Sequence, residues 1–457
     1  MPRVEPWRIP LAIARAPKFT SMSIAVVVYG FAGIIMLGAI LLMLPVSSET
    51  GQSTSFINAL FTATSAVCVT GLVVVDTGTY WSSFGQGVIL ALIQVGGFGI
   101  MTGGTFLLVA FGRRVGLREK LLIGQSMGVS RLGGLVPLVM LIMIFTIVVE
   151  GLGMVIFYAR FSGEYPPATA AWISVFHSVS AFNNAGFDLF GNFRGMVDYQ
   201  GDPLMVLATA ALVILGGISF VVVLNVFRTR KFSRLSLDTK IVLTTTAALL
   251  ALGMIVILIT EFGNEDTLGP MSLPQKLLVA FFHSVTPRTA GFALISVGSM
   301  AAYTLFFTVM LMFVGGASGS TAGGVKVNTF GMLAATVWST IRGSEHAGVF
   351  GRELKTQQIH RALTVVMLSL SMVAAMVLAL TITEKVEFID ALFETFSAFG
   401  TVGLTTGITP GLSTAGKAII AVTMFAGRLG PLTMALSLVQ RQQRTMYRYP
   451  QDDVRIG

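Results

Sequence analysis

Four short loops with a central glycine recur along this chain, and their chemistry suits the binding of a dehydrated cation. They read VCVTGL (Val67–Leu72), FNNAGF (Phe182–Phe187), RTAGF (Arg288–Phe292) and GTVGL (Gly400–Leu404). A cation that has lost its water needs rings of oxygen atoms, which backbone carbonyls can supply. Glycine lets consecutive carbonyls turn toward one axis without a side-chain collision. The loops therefore predict a filter for a monovalent cation of the potassium type.

The spacing of the loops predicts one folding unit repeated four times, because the central glycines lie 115, 105 and 112 residues apart. The expected carbonyl ligands are, loop by loop, Val69, Thr70 and Gly71; Asn184, Ala185 and Gly186; Thr289, Ala290 and Gly291; and Thr401, Val402 and Gly403. A hydroxyl-rich run that begins with phenylalanine precedes each loop, at Phe61, Phe176, Phe282 and Phe393. The phenylalanine-to-glycine distance is ten residues in three repeats and nine in the third. We therefore expect that the third loop can differ in shape.

Composition sets the class of protein that must hold these loops. Of the 457 residues, 54% are hydrophobic and 11% are charged, and the mean hydropathy is +0.81. This is too apolar for a soluble domain and predicts an integral membrane protein. The long apolar runs can each cross a hydrocarbon core of about 30 Å, whereas the segments of roughly 12 residues between them suit re-entrant pore helices. The long runs lie near residues 21–46, 84–112, 133–159, 203–227, 239–260, 301–341, 359–383 and 414–440.

The expected fold is an all-α integral membrane protein with four sequential span–pore helix–span repeats around a central pore. It would have about eight transmembrane helices and four re-entrant pore loops. The expected divisions are a cytoplasmic N-terminal segment (1–20), repeat 1 (21–114), repeat 2 (115–230), repeat 3 with an intramembrane gating loop (231–345), repeat 4 (346–442) and a C-terminal tail (443–457).

The charge distribution predicts the orientation in the membrane. Most of the 30 Lys and Arg residues lie in five stretches at the termini and between repeats, and basic residues accumulate on the cytoplasmic side. These stretches are Arg3–Lys18, Arg113–Arg131, Arg228–Lys240, Arg342–Arg361 and Arg441–Arg455. Both termini are therefore expected inside and the glycine loops outside. The net charge of +9 is mainly a topology signal, and a nucleic-acid partner is not expected.

A glycine-rich tract, GGASGSTAGGVK from Gly315 to Lys326, interrupts a hydrophobic region too long for one straight helix. Irregular backbone at membrane depth is tolerated where it is buried or lines water, so the tract is expected across the conduction path as a gate. Its alternatives are a flexible connector and a nucleotide P-loop, whose G-x-x-x-x-G-K-[ST] pattern fails here because Val325 precedes Lys326 and Val327 follows it. The gating residues expected in the tract are Gly315, Gly316, Ser318, Gly319, Ser320, Thr321, Gly323, Gly324 and Lys326.

Two further charges lie within apolar runs and call for an explanation, since charge inside a membrane is costly. Arg428, in GRLGPLT, is expected to act in gating or as a charge barrier below the loops; the alternative is a structural tether to carbonyls or to a carboxylate such as Glu150. For Glu150 itself a helix–helix pair is favoured over a place in the ion path. His177 and His283 occupy matching positions and are expected to be polar caps rather than pH sensors. With Cys68 as the single cysteine, neither a disulfide nor a metal site is expected.

These motifs in this order resemble the Trk/Ktr/HKT superfamily of potassium transporters, most closely the membrane subunit of bacterial Ktr uptake systems. FNNAGF, PRTAGF, FGTVGLTTG, GGASGSTAGG and AGRLGPLT carry the resemblance, which extends over nearly the whole chain to the tail TMYRYPQDDVRIG. It implies potassium uptake, often stimulated by Na+, through a pore in each subunit of a homodimer. It also implies a cytoplasmic ring of RCK-type subunits that bind ATP or ADP and NAD, and a location in the bacterial inner membrane.

The resemblance also implies roles for particular residues. The carbonyls of the four loops would coordinate K+, Gly315 to Lys326 would be the intramembrane gating loop, and Arg428 the arginine on the pore side. Glycine at all four central positions matches the potassium-selective branch, since a serine in the first loop of plant relatives is linked to sodium preference. The alternative function is a cation-coupled secondary transporter, by K+/H+ or K+/Na+ symport, which would need inverted repeats. No enzymatic activity and no organic cofactor are expected.

Overall fold

A computed structural model describes residues 22–110, 135–344 and 346–430 of the chain, and this part is almost entirely helical. The helices are α1 (Met22–Met43), α2 (Phe56–Cys68), α3 (Thr77–Tyr80), α4 (Ser83–Ala110), α5 (Leu135–Phe161), α6 (Pro167–Phe182), α7 (Pro203–Gly217), α8 (Phe220–Thr229), α9 (Leu237–Glu261), α10 (Leu273–Val285), α11 (Ala302–Phe313), α12 (Val327–Ile341), α13 (Thr356–Thr383), α14 (Phe388–Gly400) and α15 (Thr414–Leu429). Strands β1 (Gly348–Val349) and β2 (Arg352–Glu353) pair antiparallel. The predicted N-terminal segment and C-terminal tail, and the basic stretches 113–131 and 441–455, lie outside the described residues.

Three helices in the described part are long and apolar enough to cross a membrane alone: Val139–Phe161 within α5, α9 and α13. Helices α7 and α8 provide a fourth span if the pair, bent by 95°, is counted as one. Large apolar side chains on these helices are exposed, among them Ile147 (61%), Ile259 (72%) and Ile382 (75%). An apolar outer surface is what lipid contact requires. The predicted helical membrane fold is confirmed, whereas the count of about eight spans stays a prediction.

The helix that follows each glycine loop is interrupted, or ends, at a glycine or a glycine-rich segment, as the sequence indicated for the third repeat. Helix α4 contains Gly99 with φ 70° and ψ 151°, and α15 ends at Gly430 with φ 81° and ψ 138°. Helix α7 ends at Gly217, after which α8 turns away by 95°. The glycine-rich tract separates α11 from α12. At Gly99 and Gly430 the left-handed backbone cannot continue a right-handed helix, so apolar length alone overestimated the continuous spans.

The short helices α2, α6, α10 and α14 lie inside this framework. They have 13, 16, 13 and 13 residues, too few to cross a bilayer. Each is packed by other helices of its own region: α1 and α4 flank α2, α5 and α7 flank α6, α9 packs on α10, and α13 and α15 pack on α14. Helix α10 starts with a capping box in which Ser272 and Gln275 satisfy each other's backbone N–H groups. The C-terminal halves of these helices are buried, so the helices point their ends into the protein.

Three glycines let the broken helices touch the ends of the short helices. A Cβ at Gly96 would collide with the carbonyl oxygen of Val67, and one at Gly216 with that of Phe182. In the last repeat, a Cβ at Gly427 would collide with the Phe399 carbonyl oxygen. Each of these carbonyls belongs to the residue four positions before a loop glycine. The small residues thus set the depth at which each short helix ends, as small residues do wherever helices approach closely.

We predict that Gly216→Ala lowers the melting temperature of the purified protein in detergent, because the added methyl group has no room against Phe182. Overpacking of this kind costs about 1–3 kcal/mol. The matched control is Gly87→Ala in α4, where nothing lies within 4 Å of the added atom. That variant should melt at the wild-type temperature or above it. Equal melting temperatures for both variants would contradict the packing role of Gly216.

Candidate functional site

The four glycine loops share one backbone conformation. In each loop the glycine and the residue two positions before it have positive φ, a region that L residues other than glycine seldom adopt. The pairs are Val69 and Gly71 (57° and 92°), Asn184 and Gly186 (60° and 70°), Thr289 and Gly291 (76° and 79°), and Thr401 and Gly403 (51° and 93°). Alternation of left-handed residues turns successive carbonyls toward one side. The third loop, expected to differ, follows the same pattern.

The loops form a closed ring in chain order. A Cβ at Gly186 would lie 2.7 Å from the Ala290 oxygen, and one at Gly291 would lie 2.6 Å from the Val402 oxygen. The same construction at Gly71 collides with Ala185, and at Gly403 with Thr70, which closes the circle. The structure therefore brings all twelve carbonyl residues named from the sequence together around one centre. No side chain fits at the four central positions.

A hydroxyl on each short helix anchors the loop that follows. Ser65 Oγ accepts from Gly71 N and Ser397 Oγ accepts from Gly403 N, each at 3.1 Å. Ser180 Oγ instead donates to Phe187 O at 2.6 Å, and Thr286 Oγ1 donates to Phe292 O at 2.7 Å. The third repeat is one residue shorter than the others, and the missing residue falls between its anchoring residue, Thr286, and Gly291. There α10 ends at Val285, which leaves the glycine in its place in the ring.

The glycine-rich tract lies directly against the ring. A Cβ at Gly315 would lie 3.4 Å from the Thr289 side chain, and one at Gly324 would lie 3.3 Å from the Gly400 backbone. Gly323 has even less room, since an added Cβ would collide with the Thr401 hydroxyl. The predicted position of the tract next to the loops agrees with these contacts. Side chains larger than hydrogen would push the tract away from the ring.

Backbone hydrogen bonds hold the tract in this position. Gly315 N donates to Val325 O at 2.9 Å, which joins its two ends by an isolated parallel bridge. Ala317 N donates to Gly217 O at 2.9 Å, and Thr321 Oγ1 donates to Gly216 O at 3.1 Å, so the break after α7 supplies the acceptors. The hydroxyls of the tract are bonded within the protein. Ser318 Oγ donates to Asn328 Oδ1 at 2.9 Å and Ser320 Oγ to Ala317 O at 2.7 Å.

The two basic side chains named from the sequence both bind carbonyls of this region. The Arg428 guanidinium donates to Thr321 O in the tract and to Gly96 O in α4. It thereby ties the tract to two separate helices, and it does not reach Glu150. Lys326 Nζ donates back to Ala322 O within the tract. The geometry therefore agrees with the alternative of a structural tether for Arg428. The tract itself supplies one of the carbonyl acceptors, that of Thr321.

Glu150 belongs to a polar cluster behind the second loop. Its Oε1 accepts from Asn183 Nδ2 at 2.9 Å, and its Oε2 accepts from Gln94 Nε2 at 3.4 Å. Asn183 also donates to Gln94 Oε1 at 3.1 Å. The cluster joins α4, α5 and the end of α6, in agreement with the favoured helix–helix role. Sequence reasoning missed Gln94 and Asn183, because polar residues in apolar runs give no sign of their partners.

Arg288, next to the third loop, was also missed as a separate feature. The residue is 8% exposed, and its guanidinium donates to the Thr246 carbonyl at 3.2 Å and to the Thr246 hydroxyl at 3.3 Å. It borders a small cavity that Gly217 and Gly316 also line. A positive charge in an otherwise apolar stretch was the available signal. The arginine holds α9 to the base of the third loop.

Carboxylates shape the segments that leave the first two loops. Asp76 Oδ2 accepts from Phe193 N at 2.7 Å, which fastens the segment after the second loop to the segment after the first. Asp188 Oδ1 accepts from Phe190 N at 3.1 Å. Burial raises the pKa of the Asp188 carboxyl to about 7; the Phe190 N–H opposes this rise and the nearby Asp76 adds to it. These carboxylates therefore order the segments that follow the first two loops.

In the residues that the structure describes, no group of three or more His, Cys, Asp or Glu side chains could hold a metal ion. Cys68 is buried and free. His177 and His283 were expected to be polar caps, but both lie within their short helices and are 1% exposed, and His177 contacts Thr209 Oγ1 at 3.0 Å.

Comparison with known proteins identifies the group to which this chain belongs. Residues 17–448 match the family model TrkH, described as cation transport protein. The Ktr system potassium uptake protein B of Bacillus subtilis is 44% identical over 432 residues, covering 94% of this chain and 96% of that protein. The potassium/sodium uptake protein NtpJ of Enterococcus hirae is 38% identical, covering 94% of this chain and 96% of that protein.

A solved structure supports the fold independently of close sequence likeness. The crystal structure of the potassium transporter TrkH from Vibrio parahaemolyticus superimposes with a TM-score of 0.71 at 16% identity, covering 93% of this chain and 86% of that chain. At that identity the likeness concerns the fold alone. Together with the match over residues 17–448 and the 44% identity to the Bacillus protein, it leads to one conclusion. This chain belongs to the TrkH family of cation transport proteins.

Proposed function

We propose that the chain is the potassium-conducting subunit of a bacterial Ktr-type uptake system. The observation that carries this proposal is the closed ring of four glycine loops, in which each glycine faces the backbone of the next loop. Twelve residues would direct carbonyl oxygens at a dehydrated K+, and the inside-negative potential would drive uptake at about 2.3 kcal/mol per charge per 100 mV. The names of the Bacillus and Enterococcus relatives support potassium as the cargo.

The proposed membrane arrangement has eight spans in four repeats, with both termini inside and the loops open to the outside. In this arrangement each broken helix is the second span of its repeat, and the short helices re-enter from outside. Exposed basic residues between α8 and α9, such as Arg230 and Lys231, support the cytoplasmic assignment of that connection. The host membrane would be the bacterial inner membrane.

The glycine-rich tract would act as the gate beneath the ring. It lies against Thr289 and Thr401 of the loops, and its position rests on hydrogen bonds from Arg428 and on those that it donates to the carbonyls at the break after α7. A bonded arginine beneath a cation path would both block ions by charge and latch the tract. Opening would require the guanidinium to release Thr321 O, which frees the tract to move.

A partner must supply nucleotide control, because nothing in this sequence resembles a nucleotide site. We propose a homodimer on a cytoplasmic ring of RCK-type subunits that bind ATP or ADP and NAD. The name of the Bacillus relative, protein B of a Ktr system, supports a multi-component assembly. The name of the Enterococcus relative, a potassium/sodium uptake protein, supports Na+ as a stimulating ion and keeps K+/Na+ symport as the second candidate function. A flux assay with and without a Na+ gradient separates stimulation from obligatory coupling.

We predict that Gly291→Ser, Gly71→Ser and Gly403→Ser each lower K+/Na+ selectivity in proteoliposomes by about tenfold or more. A side chain at a left-handed position costs about 1–3 kcal/mol and displaces the carbonyls of the neighbouring loop. The matched control is Gly411→Ser, in the turn after the fourth loop, where nothing lies within 4 Å of the added atom. Selectivity that survives in all three ring variants would overturn the proposed filter.

We predict that Arg428→Gln raises K+ flux by about tenfold when the regulatory partner is absent. The loss of a hydrogen bond from a charged donor changes an equilibrium by about this factor or more. Arg428→Lys separates the two roles, because lysine keeps the charge but cannot bridge two carbonyls in the same way. If the latch matters, the Lys and Gln variants both leak; if the charge alone matters, the Lys variant stays closed. Wild-type flux in both variants would exclude Arg428 from the gate.

Deletion of Ala317 to Gly323 tests the tract itself. We expect higher basal flux and weaker control by the cytoplasmic partner, because the deletion removes the residues that bond to Gly216, Gly217 and Arg428. Size-exclusion chromatography would verify the fold of the variant. A folded variant without flux would identify the tract as a structural connector.

A further inference from the structure

The short helices carry one polar residue each at the same place, directly after the phenylalanine that opens each repeated run. The four residues are Thr62, His177, His283 and Glu394. All are at most 1% exposed, so none faces water or lipid. A polar group buried behind a backbone filter must find its partners inside the protein. The partners differ among the four repeats, and the difference concerns the outer ends of the loops.

In the third and fourth repeats, this residue bonds to the segment that follows the loop. His283 Nε2 accepts from Leu294 N at 3.2 Å, three residues beyond Gly291. Glu394 Oε1 accepts from Thr405 Oγ1 and, at 2.9 Å, from Thr409 Oγ1. In the second repeat, His177 contacts Thr209 Oγ1 of α7 at 3.0 Å instead. The Thr62 hydroxyl has no partner among the described residues.

The Glu394 contacts form a compact network just outside the fourth loop. Thr409 Oγ1 and Thr405 Oγ1 lie 3.0 Å apart, and Gly407 N donates to Thr405 Oγ1 at 2.9 Å. Thr405 is therefore held by a carboxylate, a hydroxyl and a backbone amide at once. Ser397 of the same helix holds Gly403 N from the inner side. The loop glycine is thus suspended between two anchors on one helix, Ser397 and Glu394.

We propose that Glu394 is a positioning residue for the ion filter: its buried carboxyl fixes Thr405 and so sets the carbonyl positions of Thr401 to Gly403. This inference deepens the proposed function and rests on it. Glu394 touches no ion and acts through the segment after the fourth loop, which it holds by Thr405. A hydrogen bond to a carboxylate is stronger than one between neutral groups. Such a bond suits a loop whose carbonyl spacing must not change for a smaller or larger cation. The other three repeats have no carboxyl group at this position, so the fourth loop would carry the stiffest part of the ring.

The test compares K+ and Na+ fluxes in proteoliposomes that hold the full-length protein. Glu394→Leu removes both acceptor contacts and should lower K+/Na+ selectivity by about tenfold or more. Glu394→Gln keeps an acceptor oxygen at this place and should restore most of the selectivity. Thr405→Val removes the donor from the other side and should reproduce the loss. The double variant Glu394→Leu with Thr405→Val should lose less than the sum of the two single losses, since both changes delete the shared contact between Glu394 and Thr405.

Thr62→Val is the matched control, because it changes the same helix position in the first repeat, where the hydroxyl has no partner in the described part of the chain. Its selectivity should equal that of the wild type. Unchanged selectivity in Glu394→Leu and Thr405→Val, with selective wild-type flux, would overturn the role of Glu394 alone. If Glu394→Leu does not fold, Thr405→Val decides the question. Wild-type protein without selective potassium flux would instead overturn the proposed function, so the two failures are distinguishable.

Discussion

The architecture depends on one steric constraint: four loops approach so closely that each central glycine faces the backbone of the next loop. No Cβ fits at Gly71, Gly186, Gly291 or Gly403. Because the loops meet at the four glycines, backbone atoms rather than side chains line the contacts between neighbouring loops. Left-handed residues before each glycine turn the carbonyls of the loops, and the hydroxyls of the short helices hold the turns in place. An ion filter is the function that such a lining serves best.

The same kind of contact, glycine against carbonyl, recurs one layer further out. Gly96, Gly216 and Gly427 seat the broken helices on the ends of α2, α6 and α14. The breaks expose carbonyls such as that of Gly217, which would be satisfied within a straight helix, and the glycine-rich tract uses them as acceptors. The breaks in the helices therefore supply the backbone acceptors that hold the tract against the ring. Arg428 completes this layer with two carbonyl contacts in separate helices.

Much of the ring was predictable from the sequence, because glycine in a repeated setting reports a backbone requirement directly. The four loops, the short helices before them and the irregular tract all follow from composition and spacing. The missing residue of the third repeat left the shape of its loop open; the residue is missing between Thr286 and Gly291, and the loop keeps the conformation of the other three. The breaks in α4 and after α7 were not predicted. The length of an apolar run shows whether a segment can cross the membrane, but not whether its helix is continuous. Partners distant in sequence, such as Gly96 for Arg428 or Thr405 for Glu394, cannot be read from local patterns.

Direct observation of the ion tests the central claim most sharply. The measurement is anomalous X-ray scattering from crystals of the protein grown in Rb+ or Tl+, which substitute for K+. The account predicts anomalous peaks on the axis of the ring, within coordination distance of the carbonyl oxygens of the four loops and above the glycine-rich tract. Peaks confined to a carboxylate cluster such as that of Glu150, with none between the loops, would contradict it.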